Sequence, residues 1–168
     1  MEKRRRQQNK DGEQSQDRSE FDQKVVEVKR VTRVMAGGKR MRFRALVVIG
    51  DHKGRVGAGL RKGMDFSDSV SKAAAAAKKE LISLPLVNGT IPHMVNIKYK
   101  SSKLSLMPAK AGSGVIAGGA IRSVMELAGV KNVVSKMLGS NNKVNNVKAV
   151  FEAFKQMKSK AQVAKMRQ

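Results

Sequence analysis

The stretch "GSGVIAGGAI", Gly112 to Ile121, places four glycines in ten residues directly before a helical pattern. Gly112-Ser-Gly114-Val-Ile-Ala117 satisfies G-x-G-x-x-G/A, the spacing with which a backbone turn holds a dinucleotide pyrophosphate at a helix N-terminus. That chemistry also wants a carboxylate about 20 positions further on to hold the ribose. The sequence there, "VVSKMLGSNN", has none, and no G-K-[ST] follows at P-loop spacing. A close-packed turn explains the glycines as well, with Gly118 and Gly119 in the first helical turn letting a neighbouring backbone approach. The free N–H groups at the helix start still suit a phosphate of a larger polyanion.

Other catalytic groupings are missing. Beyond residue 24 the carboxylates are Glu27, Asp51, Asp65, Asp68, Glu80, Glu126 and Glu152. Asp65 and Asp68 fit helix capping, and Glu126 fits an i,i+4 pair with Arg122. His52 in a turn and His93 after Pro92 have no third ligand or base, so each is read as a surface or RNA-facing histidine. "GRVG" (Gly54 to Gly57) has the form of a KH loop, but that loop joins two helices and this one opens a strand. We expect no catalytic residue, no cofactor, no metal and no small-molecule substrate. A small-molecule kinase would need a catalytic carboxylate that has no place here.

Charge points elsewhere. The chain of 168 residues carries 35 Lys and Arg against 13 Asp and Glu, a formal +22. Residues 1–24 are nearly balanced, and 28 basic against 7 acidic side chains lie from Val25 onward, so the folded part is itself the polycation. A field of that sign is tolerable in a compact state when a polyanion neutralises it, and nucleic acid is the first candidate. With no cysteine, a polar N-terminus and "ALVVIG" as the longest apolar run, the sequence predicts a cytoplasmic, soluble protein without a membrane partner.

These residues need elements to carry them. Residues 1–20 hold no apolar side chain after Met1 and read as a disordered arm. "VVEVKRVTRV" (25–34) and "MRFRALVVIG" (41–50) read as strands joined by a glycine-rich connection, "MAGGKR" (35–40). "DHKG" turns into a third strand, "RVGAGL" (55–60). "FSDSVSKAAAAAKKELISL" (66–84) predicts a covering helix, capped by Asp65 or Ser67, with Val70, Ala73, Ala74, Ala77 and Leu81 as its packed stripe. The result is a βββα unit whose sheet has one apolar face. Pro85, Asn88 and Gly89 mark a boundary. Strand candidates at 90–100 and 102–110 follow, then a helix over 117–129 with Gly129 just past its end, a strand at 130–138, and a helix capped by Asn141 or Asn142 with Val144, Val147, Phe151 and Phe154 on one side. The predicted fold class is α+β in two small domains, 21–88 and 89–157, with a basic tail at 158–168.

The basic residues cluster at the first hairpin. Lys29, Arg30, Arg33, Lys39, Arg40, Arg42 and Arg44 surround Gly37 and Gly38, and Arg forks donate bidentately to phosphate oxygens. Lys53 and Arg55 extend the candidate RNA-binding set. One Tyr, five Phe and no Trp give no stacking platform for single strands, so folded RNA read through shape and phosphate is the expected partner.

"RVTRVMAGGKRMRFRALVVIGDHKGRVGAGL", "NGTIPH", "MPAKAGSGVIAGGAIRSVMELAGVKNV" and "GSNNKVNNVKA" together closely resemble the family of bacterial small-ribosomal-subunit protein number five, from about Val25 to Phe154. The resemblance implies an N-terminal double-stranded-RNA-binding-like domain and a C-terminal α/β sandwich. It also implies a structural role in the small ribosomal subunit, bound to its ribosomal RNA and to small-subunit proteins four and eight, near the mRNA entry path. It makes Thr32 to Arg40 the family's hairpin toward the subunit head, linked to spectinomycin sensitivity. It puts Arg30 beside RNA, and Gly114 and Arg122 at the protein-four interface that bears on decoding accuracy. The other reading from residues alone, a free-standing double-stranded-RNA binder or RNA chaperone, leaves the second domain without a task.

Overall fold

The computed structural model describes residues 20–159 together with 163, 164, 166 and 167; the expected arm, apart from Glu20, and part of the basic tail lie outside the described residues. The order is β1 (Asp22–Met35), β2 (Gly38–Gly50), β3 (Arg55–Gly63), α1 (Phe66–Lys79), β4 (Ile82–Ser83), β5 (Val95–Tyr99), β6 (Ser102–Pro108), β7 (Val115–Ile116), α2 (Gly119–Ala128), β8 (Val133–Met137) and α3 (Lys143–Gln156). Two four-stranded sheets, β1-β2-β3-β4 and β5-β6-β8-β7, make an α+β protein of two domains.

The first sheet is buried on both faces at its inner end. Ala45, Val47 and Ile49 pack under α1 against Ala73 and Ala77, while Leu46, Val48 and Val56 join the core that contains α2 and α3. "ALVVIG" is a continuous apolar run for that reason; the expectation of a single apolar face is corrected. Helix α1 lies close on β3 because β3 offers glycines. A Cβ on Gly59 would stand 2.0 Å from the Ala73 carbonyl oxygen, and one on Gly57 2.3 Å from that of Ala77.

Two boundaries of the first domain differ from the sequence reading. Helix α1 ends at Lys79, and Ile82–Ser83 pairs with Arg55 and Val56 as a fourth strand. Pro85 disfavours helical dihedrals at the residue before it, and the exposed edge of β3 offers hydrogen bonds instead. The strands also run through the supposed connection at 35–40, so that only Ala36 and Gly37 form the turn and Met35 pairs with Gly38. Gly38, at φ +137°, takes the backbone conformation that closes it.

In the second domain β5, β6 and β8 are antiparallel, and β7 joins β8 in parallel. Thr90 to Met94 is not strand; Thr90 forms an isolated bridge with Val87. Gly129 ends α2 in the left-handed region at φ +81°, and Asn142 caps α3 by accepting from the Val144 N–H. Among the described residues no helix is long and apolar enough to cross a membrane.

Candidate nucleic-acid interface

Beyond Phe43, opposite the end of β3 at Gly63, β1 and β2 continue alone as a two-stranded finger about 17 Å long at ~3.3 Å per residue. Register sorts its side chains and those of Lys29 and Arg44 at its base, where Arg44 still pairs with Lys62 of β3. Lys29 stands opposite Arg44, Val31 opposite Arg42 and Arg33 opposite Arg40, so five cations share one face. Arg30, opposite Phe43, and Lys39, opposite Val34, lie on the other. Lys29 reaches Glu27 at 3.5 Å, but Arg33, Arg40, Arg42 and Arg44 make no ion pair with any described carboxylate. Like charges directly across a ladder cost on the order of 0.2–1 kcal/mol per pair. The arrangement suits a polyanion laid along the finger, with Arg forks on phosphate oxygens. At the tip, a Cβ on Gly37 or Gly38 would meet nothing within 4 Å, so the backbone is bare.

Lys53 and Arg55 are not brought to this face; they stand at the other end of the sheet. There Arg55 is held by Asp51 at 2.7 Å and Glu20 at 2.9 Å, with its guanidinium 5.2 Å over the Phe21 ring. Burial pushes the Asp51 carboxyl up, but the Arg55 side chain and the N–H groups of Lys53 and Arg55 bring it below the usual carboxylate value. Lys53 is exposed and its ammonium has no described acidic partner.

His52 stays at the surface, as the sequence reading had it, but its ring is engaged within the chain. Its Nε2 lies 2.9 Å from Asp22 Oδ2 and its Nδ1 2.8 Å from the Glu126 carbonyl oxygen. The turn also donates its backbone to the end of α2: His52 N–H to Leu127 O and Gly54 N–H to Ala128 O, each at 3.0 Å. Those are carbonyls a helix end leaves unsatisfied. The contact is close enough that a Cβ on Gly50 would sit 2.2 Å from Leu127 O. His52 keeps φ +56° within it. Asp22 above all, and then the Glu126 carbonyl, raise the His52 pKa against the opposing effect of burial. This turn is a joint between the domains.

Two N–H groups of the glycine stretch are taken within the chain. Asn132 Oδ1 accepts from Gly112 N–H at 3.0 Å and Gly114 N–H at 3.1 Å, donors that a phosphate would otherwise need. At two glycines here no neighbouring backbone approaches. Gly119 faces open space, and a Cβ on Gly118 would meet the Met137 thioether side chain rather than a backbone. What the stretch does require is positive φ, +89° at Gly112 and +70° at Gly114. Arg122 is exposed and reaches back to Val115 O at 3.2 Å. Gly114, Ile116 and Arg122 thus occupy one margin of the second domain, and Ile116 is 54 % exposed.

Among the described residues no three His, Asp or Glu gather as a metal site. The cleft between the domains contains Glu80 and Glu152, and Glu152 is bound to Lys155 at 2.9 Å. The sequence reading passed over Lys98, Lys103 and Lys136, which the second sheet assembles on one face. Their signal was the alternation in "NIKYK" and "SKLSL".

Comparison with known families gives two matches. Residues 21–85 match the family model described as ribosomal protein S5, N-terminal domain, and residues 97–167 match ribosomal protein S5, C-terminal domain.

Proposed function

The chain belongs to the ribosomal protein S5 family and is thereby a constituent of the small ribosomal subunit, and we propose from this that its β1–β2 finger seats on small-subunit ribosomal RNA. The observation that carries the reading is the file of opposed cations: Arg33, Arg40, Arg42 and Arg44 lack described acidic partners. Arg30, Lys39, Gly37 and Gly38 complete the contact from the other face and the tip, and Lys53 adds a charge at the far end of the sheet. Arg55, committed to Asp51 and Glu20, acts by fixing the joint.

Gly114 and Arg122 form a margin for a neighbouring ribosomal protein, for which protein four is the expected partner, with protein eight elsewhere on the surface. Gly114 suits that role because it faces open space at φ +70°, so a side chain there both strains the loop and protrudes into a partner. The interface then influences decoding accuracy near the mRNA entry path by favouring one arrangement of the subunit over another. The domain limits we assign are 21–88 and 89–157.

The test is sucrose-gradient fractionation of lysate with a high-salt wash, tracking the chain. It should co-sediment with the small subunit and stay bound. Recovery at the top of the gradient would favour a free double-stranded-RNA binder or RNA chaperone.

A further inference from the structure

The second sheet has one covered face and one bare one. Val95, Leu104, Leu106 and Val133 point into the core shared with α2 and α3. By the period of two, Lys98, Lys103, Lys136, Met107, Val134 and Ile116 lie on the opposite face, and no described helix packs there. The face divides in two: apolar side chains toward β7, lysines toward β5.

We propose that the lysine half is a second RNA-phosphate contact surface, separate from the hairpin. The inference rests on the reading of this chain as an RNA-bound subunit component. Lys98 stands directly opposite Lys103, and Lys136 stands opposite Ser105, diagonal to Lys103. Same-face neighbours are about 4.5–5.5 Å apart when opposed and ~7–8 Å on the diagonal. Three ammonium groups therefore share one small patch.

Some lysines of this chain are paired: Lys24 with Glu126 at 2.9 Å, Lys72 with Asp68 at 2.8 Å, Lys155 with Glu152 at 2.9 Å. Lys98, Lys103 and Lys136 have no described carboxylate within ion-pair reach. A solvated surface gains by interleaving signs, whereas this patch concentrates one sign across two neighbouring strand pairs. Its complement is an anion with several charges at short spacing, and a phosphate backbone supplies that without any demand for base recognition. Lysine suits it as a mobile point charge, where the hairpin uses the arginine fork.

Deproteinised small-subunit ribosomal RNA, titrated with the full chain over a salt series, tests this. The triple variant K98Q/K103Q/K136Q should lower the magnitude of the log K against log salt slope by about two and weaken binding roughly tenfold in moderate salt. Its melting temperature should stay that of the parent, which separates lost contact from lost fold. The hairpin variant R33Q/R40Q/R42Q/R44Q is run beside it. An unchanged slope for the lysine variant with a reduced slope for the hairpin variant overturns the second surface and leaves the hairpin reading intact. The reverse result keeps the lysine surface and removes the hairpin. If neither variant moves the slope, both ideas fall. A lysine variant with the parent's slope that nonetheless fails to enter reassembled subunits assigns the face to a protein partner, against the proposal.

Discussion

The two ends of the first sheet treat charge in opposite ways. At the outer end Lys29 faces Arg44 and Arg33 faces Arg40, with Glu27 as the one acid in reach of Lys29. At the inner end Asp22, Lys24, Asp51, His52, Arg55 and Glu126 are all paired, and the backbone itself is used to close α2. A network whose charges are satisfied fixes geometry. One left unsatisfied on the surface carries attraction for something outside. The same strands hold both, so the joint sets where the finger points.

The largest effect should come from breaking the joint. Gly50→Ala drives a Cβ to 2.2 Å from Leu127 O, and backbone on both sides leaves nothing flexible to yield. We expect a loss of about 3 kcal/mol, read as a fall in melting temperature of roughly 6–12 °C. Gly37→Ala at the outer end, where nothing lies within 4 Å, should change stability by under about 0.5 kcal/mol. Equal losses at both sites would erase the distinction between a packed end and a bare one.

Next in size is the hairpin's own charge. R33Q/R40Q/R42Q/R44Q should weaken binding to deproteinised small-subunit ribosomal RNA by on the order of 100-fold near physiological salt and reduce the salt slope by about three. Without RNA the variant should be slightly more stable than the parent, because opposed like charges are gone. A clear destabilisation of the free protein would mean these side chains hold the fold, and the finger would lose its claim as a binding surface.

How much of this could be read beforehand follows from distance along the chain. The first three strands, the α1 stripe of Val70, Ala73, Ala74 and Ala77, and the caps at Gly129 and Asn142 are local patterns, and they stand where periodicity put them; Leu81 packs on the same core from beyond the end of α1. The cation cluster was legible for the same reason, since a hairpin pairs residues close in sequence. The joint was not. His52 meets Glu126 across 74 residues, and no local pattern in "GDHKG" says that it closes a helix. The same holds for Asn132, which answers Gly112 from 20 residues away. Arg55 looked like part of the basic surface because composition does not reveal Asp51 and Glu20 beside it. The family resemblance supplied the ribosomal setting but not these contacts, since it speaks of positions and not of their partners.

Moving pH across the joint should give a small effect, and its sign is fixed. Asp22 and the Glu126 carbonyl raise His52 above its ordinary value of 6.5, so the folded state holds the proton more tightly than the unfolded one. The stabilisation is therefore complete below about pH 6.5 and is lost as pH rises through the raised folded value. His52 and Asp22 side chains are 50 % and 76 % exposed, so solvent screens the pair and the loss should be under about 1 kcal/mol. The imidazolium at the end of α2 also gains from the helix dipole, and Lys24 on Glu126 shares that site. Urea melts at pH 6 and pH 8 measure it, and imidazole resonances are simple to assign because the chain has two histidines. Asp22→Asn should bring the His52 midpoint down and flatten the difference between the two pH values. A parent protein equally stable at both pH values, or an Asp22→Asn variant with an undiminished slope, would show that the joint is held by backbone hydrogen bonds and glycine packing alone.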